Sequence, residues 1–321
     1  MKKKQEKVLL RKASAMIEAS NTGLTLLQKK SYNFMLREAR SQLFQDPKLD
    51  RFKVPASKIL EFYGIGEKNL KYLANELEKL ERIIIKYNLL GKDPNLGWGA
   101  FPPLSSFDYK DGIITFQLPF QIKDQLLHSD RFAIIDLMHE KLFKNKYTLS
   151  LYEFLMDYMN SPQIPEVALD TYKEMIGAEN KTYKVYDFVK YAIDLPVKEI
   201  NNLDIVPFTV KYKLKRGRRN KIESIKFEIS FKEWYLKKFD DSLVDISQEA
   251  KELTLLLPEK YHNSVSATII QGLLDQYSYE EIKEAIQNTA NKEGLLPVKI
   301  EEYLKEKFPH KLTDKSSDVE S

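Results

Sequence analysis

The sequence contains no cysteine and only four histidines in 321 residues, and it has no long apolar run. Without cysteine the chain can form neither disulfides nor thiolate metal sites, which fits the reducing environment of the cytoplasm. No segment approaches the ~18 uncharged apolar residues of a membrane-spanning helix. The lysines at the N-terminus are not followed by the apolar stretch of a signal peptide. We therefore expect a cytoplasmic protein that does not enter the membrane.

Motifs that carry catalysis are also missing. No two histidines lie at a spacing typical of metal ligands, and no GxxxxGK[ST] sequence marks a phosphate-binding loop. Tyr186 with Lys190 nearby is weak evidence for a nucleophile. Asp136 and Glu140 lie four residues apart, and carboxylates at that spacing are usually solvated. We expect no active site, no metal and no cofactor, and a metal-dependent nuclease is a distant alternative.

Charge is distributed unevenly along the chain. The net charge is +4, but residues 240–321 hold 9 lysines against 17 acidic residues, which leaves a balance of −8 there and +12 in the rest. At about 150 residues per domain, the length predicts two domains and a small third. A basic body with an acidic tail favours a polyanionic partner for the body and a different partner for the tail.

The stretch KYKLKRGRRNKIESIKFEIS at residues 211–230 predicts a β-hairpin with a basic tip. Apolar residues alternate with polar ones on both sides of the tip, and this period of two is typical of half-buried strands. The apolar positions are Val210, Tyr212, Leu214, Ile225, Phe227 and Ile229. Gly217 is expected to supply the positive φ of the turn, with Asn220 as a second candidate. Charge of one sign at the tip favours polyanion binding over a merely soluble edge.

Two segments share one layout. Residues 52–87 predict a helix capped by Ser57 and ended by Gly64, then a second helix and a strand. The second helix carries an apolar stripe at Leu70, Leu73, Leu77 and Leu80. Residues 164–212 repeat the layout with a helix that Gly177 ends. That helix is marked by Val167, Ala168, Tyr172 and Ile176.

The second helix of the repeated unit is expected to bury Val185, Phe188, Val189 and Ala192. Pro196 should break or kink it, with a further turn or two through Ile200. Between the units, the strand after Asp111–Gly112 is expected to pair with residues 82–87, and Trp98 to pack beneath this first wing.

Two helices followed by a hairpin describe a winged helix-turn-helix. Such geometry also occurs in purely structural helical folds, but two copies, the second with a basic wing, favour binding of duplex DNA. Lysines recur at the same distance from each helix-ending glycine, four residues past it and seven past it. The candidate DNA-binding residues are Lys58, Lys68, Asn69, Lys71 and Tyr72 in the first unit, Lys181, Tyr183, Lys184, Tyr186, Asp187, Lys190 and Tyr191 in the second, and Lys215, Arg216, Arg218, Arg219 and Lys221 in the wing.

Three stretches resemble the plasmid replication initiator (Rep) proteins that bind iterons. ASNTGLTLLQKKSYNFML (19–36) is similar to the start of that family, and KYTLSLYEFLMDY (146–158) to the helix that opens its second domain. YDFVKYAIDLPVKEIN (186–201) resembles its recognition helix. This chain departs from the family in having Lys190–Tyr191 where consecutive basic residues are usual, and in placing its proline one position later.

The resemblance implies two tandem winged helix-turn-helix domains in an α+β fold. It further implies a monomer that binds direct repeats at a plasmid origin, and a homodimer, in equilibrium with it, that represses its own promoter at an inverted repeat. Origin melting and contact with the host replicative helicase, sometimes with the host initiator ATPase, are implied as well. A winged-helix transcriptional regulator without a replication role is the alternative.

A small helical module is expected after the winged domains. SYEEIKEAIQNTA opens with Ser278 and Glu281 at the spacing of a capping box, with Ile282 and Ile286 on one face. The expected domains are 1–128, an N-terminal winged helix for DNA contact and dimerisation; 129–239, a C-terminal winged helix for DNA recognition; 240–310, an acidic helical module; and 311–321, a disordered tail. The module is either a docking site for replication proteins or a helical cap on the second domain.

Overall fold

The computed structural model forms two compact units, residues 1–230 and 231–321. The residues that it describes are 8–21, 23–93, 97–159, 161, 163–179, 184–218, 221–236, 248–257, 270, 273–274, 277–289, 300, 303–304 and 307. Across these ranges, none of the helices combines the length and the apolar character that crossing a membrane requires.

The first winged domain is built from three strands and two helices. Strand β2 (Phe52–Pro55) leads into α3 (Ala56–Tyr63), and a short 3-10 turn precedes α4 (Leu70–Glu78). Strands β5 (Ser106–Lys110) and β6 (Ile113–Gln117) complete an antiparallel sheet of order β2-β6-β5.

The ends of α3 confirm one prediction and correct another. Gly64 ends the helix with φ +67, in the left-handed region that glycine adopts without steric cost. The expected cap at Ser57 is wrong, because the strand runs directly into the helix and Pro55 occupies the N-cap position.

The second winged domain repeats this topology. Strand β8 (Val167–Ala168) is followed by α8 (Leu169–Ile176), which ends at Gly177 with φ +74. Helices α9 (Val185–Val189) and α10 (Leu195–Asn201) come next, joined by a π-helical turn. Strands β9 (Phe208–Arg216) and β10 (Ile222–Phe231) complete a sheet of order β8-β10-β9. Residues 167 and 168 were expected in the helix but lie in the strand, where they pair with β10.

The strand expected at residues 82–87 has a different partner from the one predicted. It is β3 (Ile85–Tyr87), and it pairs with β4 (Gly99–Phe101) in a separate two-stranded sheet. Asp111 and Gly112 both have positive φ, as a two-residue hairpin turn requires, so they join β6 to β5 instead. Trp98, next to β4, is 78% exposed and does not pack beneath the wing.

Two long helices form the centre of the first unit. Helix α2 (Leu26–Gln45) begins with a capping box in which Thr25 and Gln28 exchange side chain-to-backbone hydrogen bonds. Helix α7 (Lys146–Tyr158) begins at Asn145, whose side chain accepts from the Tyr147 amide at 2.9 Å. Around them lie β1 (Leu9–Ala13), α1 (Ser14–Ile17), α5 (Phe120–His128), β7 (Phe132–Asp136) and α6 (Leu137–Leu142), with β1 and β7 paired antiparallel.

A buried polar cluster connects α2, α6 and α7. The Glu153 carboxylate accepts from Lys12 Nζ at 2.7 Å and from Asn33 Nδ2 at 2.6 Å, and Asn33 also donates to Glu140 Oε1 at 2.8 Å. Glu140 is fully buried, so its expected solvation is wrong. Burial, reinforced by the nearby Glu153 charge, raises the pKa of Glu140 to about 8. Burial lowers the pKa of Lys29 to about 7.

The second unit has a helical core of its own. Its helices include α11 (Glu233–Leu236), α12 (Gln248–Leu255) and α13 (Tyr279–Thr289). Ile282 and Ile286 are buried in this core, as their spacing predicts. The Ser278 amide and hydroxyl both donate to Glu281 Oε2, which confirms that these two residues interact at the start of α13.

Candidate DNA-binding surface

The second helix of the second winged domain presents a polar and aromatic arc to solvent. Tyr186 is 74% exposed, and Lys184, Lys190 and Tyr191 are also exposed, while Asp187 is half-buried. Phe188 and Ala192 pack into the core as predicted, but Val185 is 57% exposed rather than buried. It lies in the first turn of α9, before the helix face meets the core.

The helix does not break at Pro196. The π-turn at residues 190–194 is followed by α10, in which Pro196 occupies the first turn, and the helical path reaches Asn201. Proline has no amide hydrogen, so residue 196 donates no hydrogen bond to the preceding turn of this continuous helix. The predicted break or kink is thus replaced by a local change of helix type, and the helix continues to Asn201, close to the expected Ile200.

Side-chain hydrogen bonds join this helix to the wing formed by β9 and β10. Tyr212 OH donates to Asp194 Oδ1 at 2.6 Å. Asn201 donates from Nδ2 to the Val210 carbonyl at 2.9 Å and accepts from the Val210 amide at 2.7 Å. Desolvation, with the bond to Asp194, raises the pKa of Tyr212 to about 12, so its hydroxyl keeps its proton at neutral pH. The helix and the wing are therefore held in a fixed relation.

The wing carries cations on its outer face and at its tip. Lys213 pairs with Glu228 at 2.7 Å and Lys215 with Glu166 at 3.5 Å. Arg216, Arg218 and Lys221 are exposed. Such exposed pairs contribute little stability, about 0–1 kcal/mol, and can exchange a carboxylate for a phosphate.

The turn at the wing tip forms without positive φ at Gly217. The Gly217 amide donates to the Lys221 carbonyl, and the Lys221 amide donates to the Arg218 carbonyl. A Cβ at residue 217 would meet only the Glu223 carboxyl group, the end of a flexible side chain that can move aside, so the expected need for glycine at this turn is wrong. Asn220, the second candidate, lies outside the described residues, as do the site candidates Lys181, Tyr183 and Arg219.

The first winged domain presents a less basic surface. Lys68, Lys71 and Tyr72 are exposed at the start of its second helix. Asn69 donates to the Gly66 carbonyl within the turn, and Lys58 pairs with Glu38 of α2 at 2.8 Å. The tip of the first wing is Asp111–Gly112, with exposed Lys110 directly beside it and exposed Asp108 further along the strand, so one lysine lies there with two aspartates. The basic wing is therefore a feature of the second domain.

Three exposed residues on the same helix were missed by the sequence analysis: Asp194, Leu195 and Lys198. They lie just before and just after Pro196, where the helix was expected to break or kink. A signal was nevertheless present, because Tyr186, Lys190, Asp194 and Lys198 recur every four residues. In the part of the chain that the structure describes, no group of three or more potential metal ligands is close enough to hold a metal.

Models of two protein domains match the chain. Residues 9–156 match the Initiator Replication protein WH1 model, and residues 168–229 match the Initiator Rep protein WH2 model. The chain belongs to the replication initiator (Rep) family. The matched segments cover nearly all of both winged domains of this initiator, and residues 231–321 lie beyond them.

The comparison with solved structures includes domains 2 and 3 of RctB. This structure shares 11% sequence identity with the initiator, covers 63% of it and 82% of its own chain, and superposes with a TM-score of 0.40. No curated protein matches the sequence.

Proposed function

We propose that this initiator binds direct repeats, the iterons, at a plasmid origin through both winged domains. The observation that carries the proposal is the basic wing of the second domain, which Tyr212 and Asn201 join to the exposed helix beside it. A helix of this kind can enter the major groove and read base edges, while wing cations lie against phosphates. The protein acts in the cytoplasm by binding and remodelling DNA rather than by catalysis.

The candidate contacts divide by role. Lys184, Tyr186, Asp187, Lys190 and Tyr191, with Lys181 and Tyr183, are assigned to base edges or to the adjoining backbone. Lys215, Arg216, Arg218, Arg219 and Lys221 are assigned to phosphates, where they add affinity more than sequence preference. The first domain adds Lys58, Lys68, Asn69, Lys71 and Tyr72 as a second and weaker set. For Lys58 the contact requires release from Glu38, since the two form an ion pair in the free protein.

We assign the later steps of initiation to the same protein. It assists origin opening, recruits the host replicative helicase, with the host initiator ATPase in some hosts, and represses its own gene as a dimer through its N-terminal domain. The module at residues 240–310 is our candidate for helicase docking. Its location in a separate compact unit supports this division, because the unit has its own core.

Footprinting on the DNA that flanks the gene tests the proposal. We expect the purified protein to protect several evenly phased direct repeats, with or without residues 240–321. Protection confined to one inverted repeat at the promoter would favour the alternative, a transcriptional regulator. Deletion of residues 240–321 should abolish plasmid maintenance while the footprint stays intact, and unchanged maintenance would refute the docking role.

A further inference from the structure

The DNA-reading helix, residues 185–201, contains two backbone carbonyls that lack their ordinary helical partners. In an α-helix each carbonyl accepts from the amide four residues later. The Leu195 amide donates instead to the Lys190 carbonyl, five residues back, and residue 196 is a proline without an amide hydrogen. The carbonyls of Tyr191 and Ala192 therefore lose the donors that residues 195 and 196 would supply.

Side chains from two other helices supply donors to these carbonyls. Tyr172, on the first helix of the same winged domain, donates its hydroxyl proton to the Ala192 carbonyl at 3.2 Å. Asn145, the N-cap of α7, donates from Nδ2 to the Tyr191 carbonyl over a longer 3.4 Å. The Tyr172 bond is the buried one, since this side chain is only 1% exposed. A buried carbonyl without a donor would be costly, so Tyr172 stabilises the π-turn directly.

The π-turn determines which residues of the helix share a face. Phe188, Ala192, Pro196 and Ile200 are all buried, a spacing of four residues. An α-helix turns about 100° per residue, so twelve residues at that spacing drift by about 120°. The π-turn contains one residue more than an α-helical turn, which cancels about 100° of this drift. The four buried residues therefore remain on one side of the helix. The same correction aligns the exposed residues Tyr186, Lys190, Asp194 and Lys198 on the other side.

We propose that the Tyr172 hydroxyl is a positioning group for DNA recognition, because its bond to the Ala192 carbonyl maintains the π-turn that aligns the exposed residues Tyr186, Lys190, Asp194 and Lys198. This inference rests on the proposed DNA binding. Tyr172 itself is buried and touches no DNA. Its loss should therefore reduce the discrimination between DNA sequences and leave the general attraction to phosphates unchanged, because the wing cations remain in place.

The test compares Tyr172→Phe with a matched control, Tyr32→Phe. Tyr32 is also buried, and it donates to the Pro103 carbonyl at 3.0 Å in the first domain. The probes are a duplex selected from a random pool by the wild-type protein and a scrambled duplex of the same composition. We expect Tyr172→Phe to bind the selected duplex about five- to tenfold more weakly, the loss of one hydrogen bond, and the scrambled duplex equally well. Tyr32→Phe should leave the ratio of the two affinities at its wild-type value.

A second measurement reports on the helix without DNA. In hydrogen exchange of the free protein, Tyr172→Phe should speed exchange in residues 185–201, and Tyr32→Phe should not. Pro196→Ala restores an amide that can reach the Ala192 carbonyl, so adding Tyr172→Phe to it should cause no further loss of sequence discrimination.

Three results would overturn the inference. They are equal effects of Tyr172→Phe and Tyr32→Phe, an equal loss on both duplexes, or additive effects of Pro196→Ala and Tyr172→Phe. If the wild-type protein selects no sequence from the pool, the proposed function fails instead, and the exchange measurement still decides whether Tyr172 maintains the turn.

Discussion

Replacing Glu140 by glutamine tests whether one of two carboxyl groups in the same buried cluster is neutral. Glu140 and Glu153 both accept from Asn33, but Glu153 alone accepts from the Lys12 ammonium, at 2.7 Å. Glu140 Oε2 has no hydrogen-bond donor among the described residues, whereas Oε1 accepts from Asn33. A glutamine can reproduce this arrangement because its Oε1 still accepts and its side chain is neutral.

The effect of pH follows from the pKa of Glu140. In the unfolded chain this carboxyl releases its proton near its ordinary pKa of 4.5, and in the folded protein it keeps the proton until about pH 8. The folded state thus binds more protons in this window, so the free energy of unfolding falls as the pH rises through it. Lys29 acts in the opposite sense above about pH 7, where its lowered pKa makes stability rise with pH.

Below about pH 7, the titration of Glu140 affects the free energy of unfolding more than that of Lys29 does. Each pH unit changes the free energy of unfolding by about 1.4 kcal/mol for a group that is protonated in only one state. As the pH rises from about 5 to about 7, the free energy of unfolding of Glu140→Gln should increase by roughly 2–3 kcal/mol relative to that of the wild type. The free energy of unfolding of Glu153→Gln should instead be about 3–5 kcal/mol lower than that of the wild type, because this change leaves the buried Lys12 without a carboxylate.

Urea unfolding followed by far-ultraviolet circular dichroism at several pH values measures both effects. Other titrating groups are common to the variant and the wild type, so the difference between their unfolding free energies isolates Glu140. A difference that does not change with pH would mean that Glu140 is ionised in the folded protein. Destabilisation of Glu140→Gln as large as that of Glu153→Gln would equally refute the reasoning.

Three further predictions concern the DNA-binding surface. Arg218→Ala or Lys221→Ala should weaken binding to all sequences alike and reduce the salt slope by about one phosphate contact each, measured by fluorescence anisotropy at several salt concentrations; a changed sequence preference would contradict the phosphate assignment. We also expect Val185, which is 57% exposed at the start of the same helix, to contact a thymine methyl group; replacing thymine by uracil in the selected duplex should then weaken wild-type binding several-fold but leave Val185→Ala unaffected, and an equal loss for both would refute this contact. Tyr212→Phe should lower stability by about 1 kcal/mol and speed hydrogen exchange in β9, with Tyr109→Phe in the first wing as the control.

Much of the fold could be predicted because its signals are local. The alternation of apolar and charged residues from Val210 to Leu214 predicts a strand with one half-buried face. In the structure Val210 is buried, and Tyr212 and Leu214 are half-buried. Gly64 and Gly177 end their helices in the left-handed conformation. The matching layout of the two units follows from these local features and required no tertiary information.

The partners of each element were decided only by the tertiary structure. The apolar segment at residues 82–87, which contains β3, favours a strand with any partner. Its sequence alone therefore does not determine whether it pairs with β4 or with β6. The turn geometry of Asp111–Gly112 made that choice by folding β6 onto β5. The burial of Glu140 is a second example. Its four-residue spacing from Asp136 is the same whether it is solvated or enclosed by α2 and α7, so the spacing does not predict its burial.

Pro196 shows the same division within the candidate site. The sequence determines that its nitrogen cannot donate and that the Ala192 carbonyl must find another partner. It does not reveal that Tyr172, twenty residues earlier, supplies the donor. Local sequence determines which groups need a partner, because those needs belong to the residue itself. Tertiary packing determines which distant residue meets them, because only the folded chain brings the two within hydrogen-bonding distance.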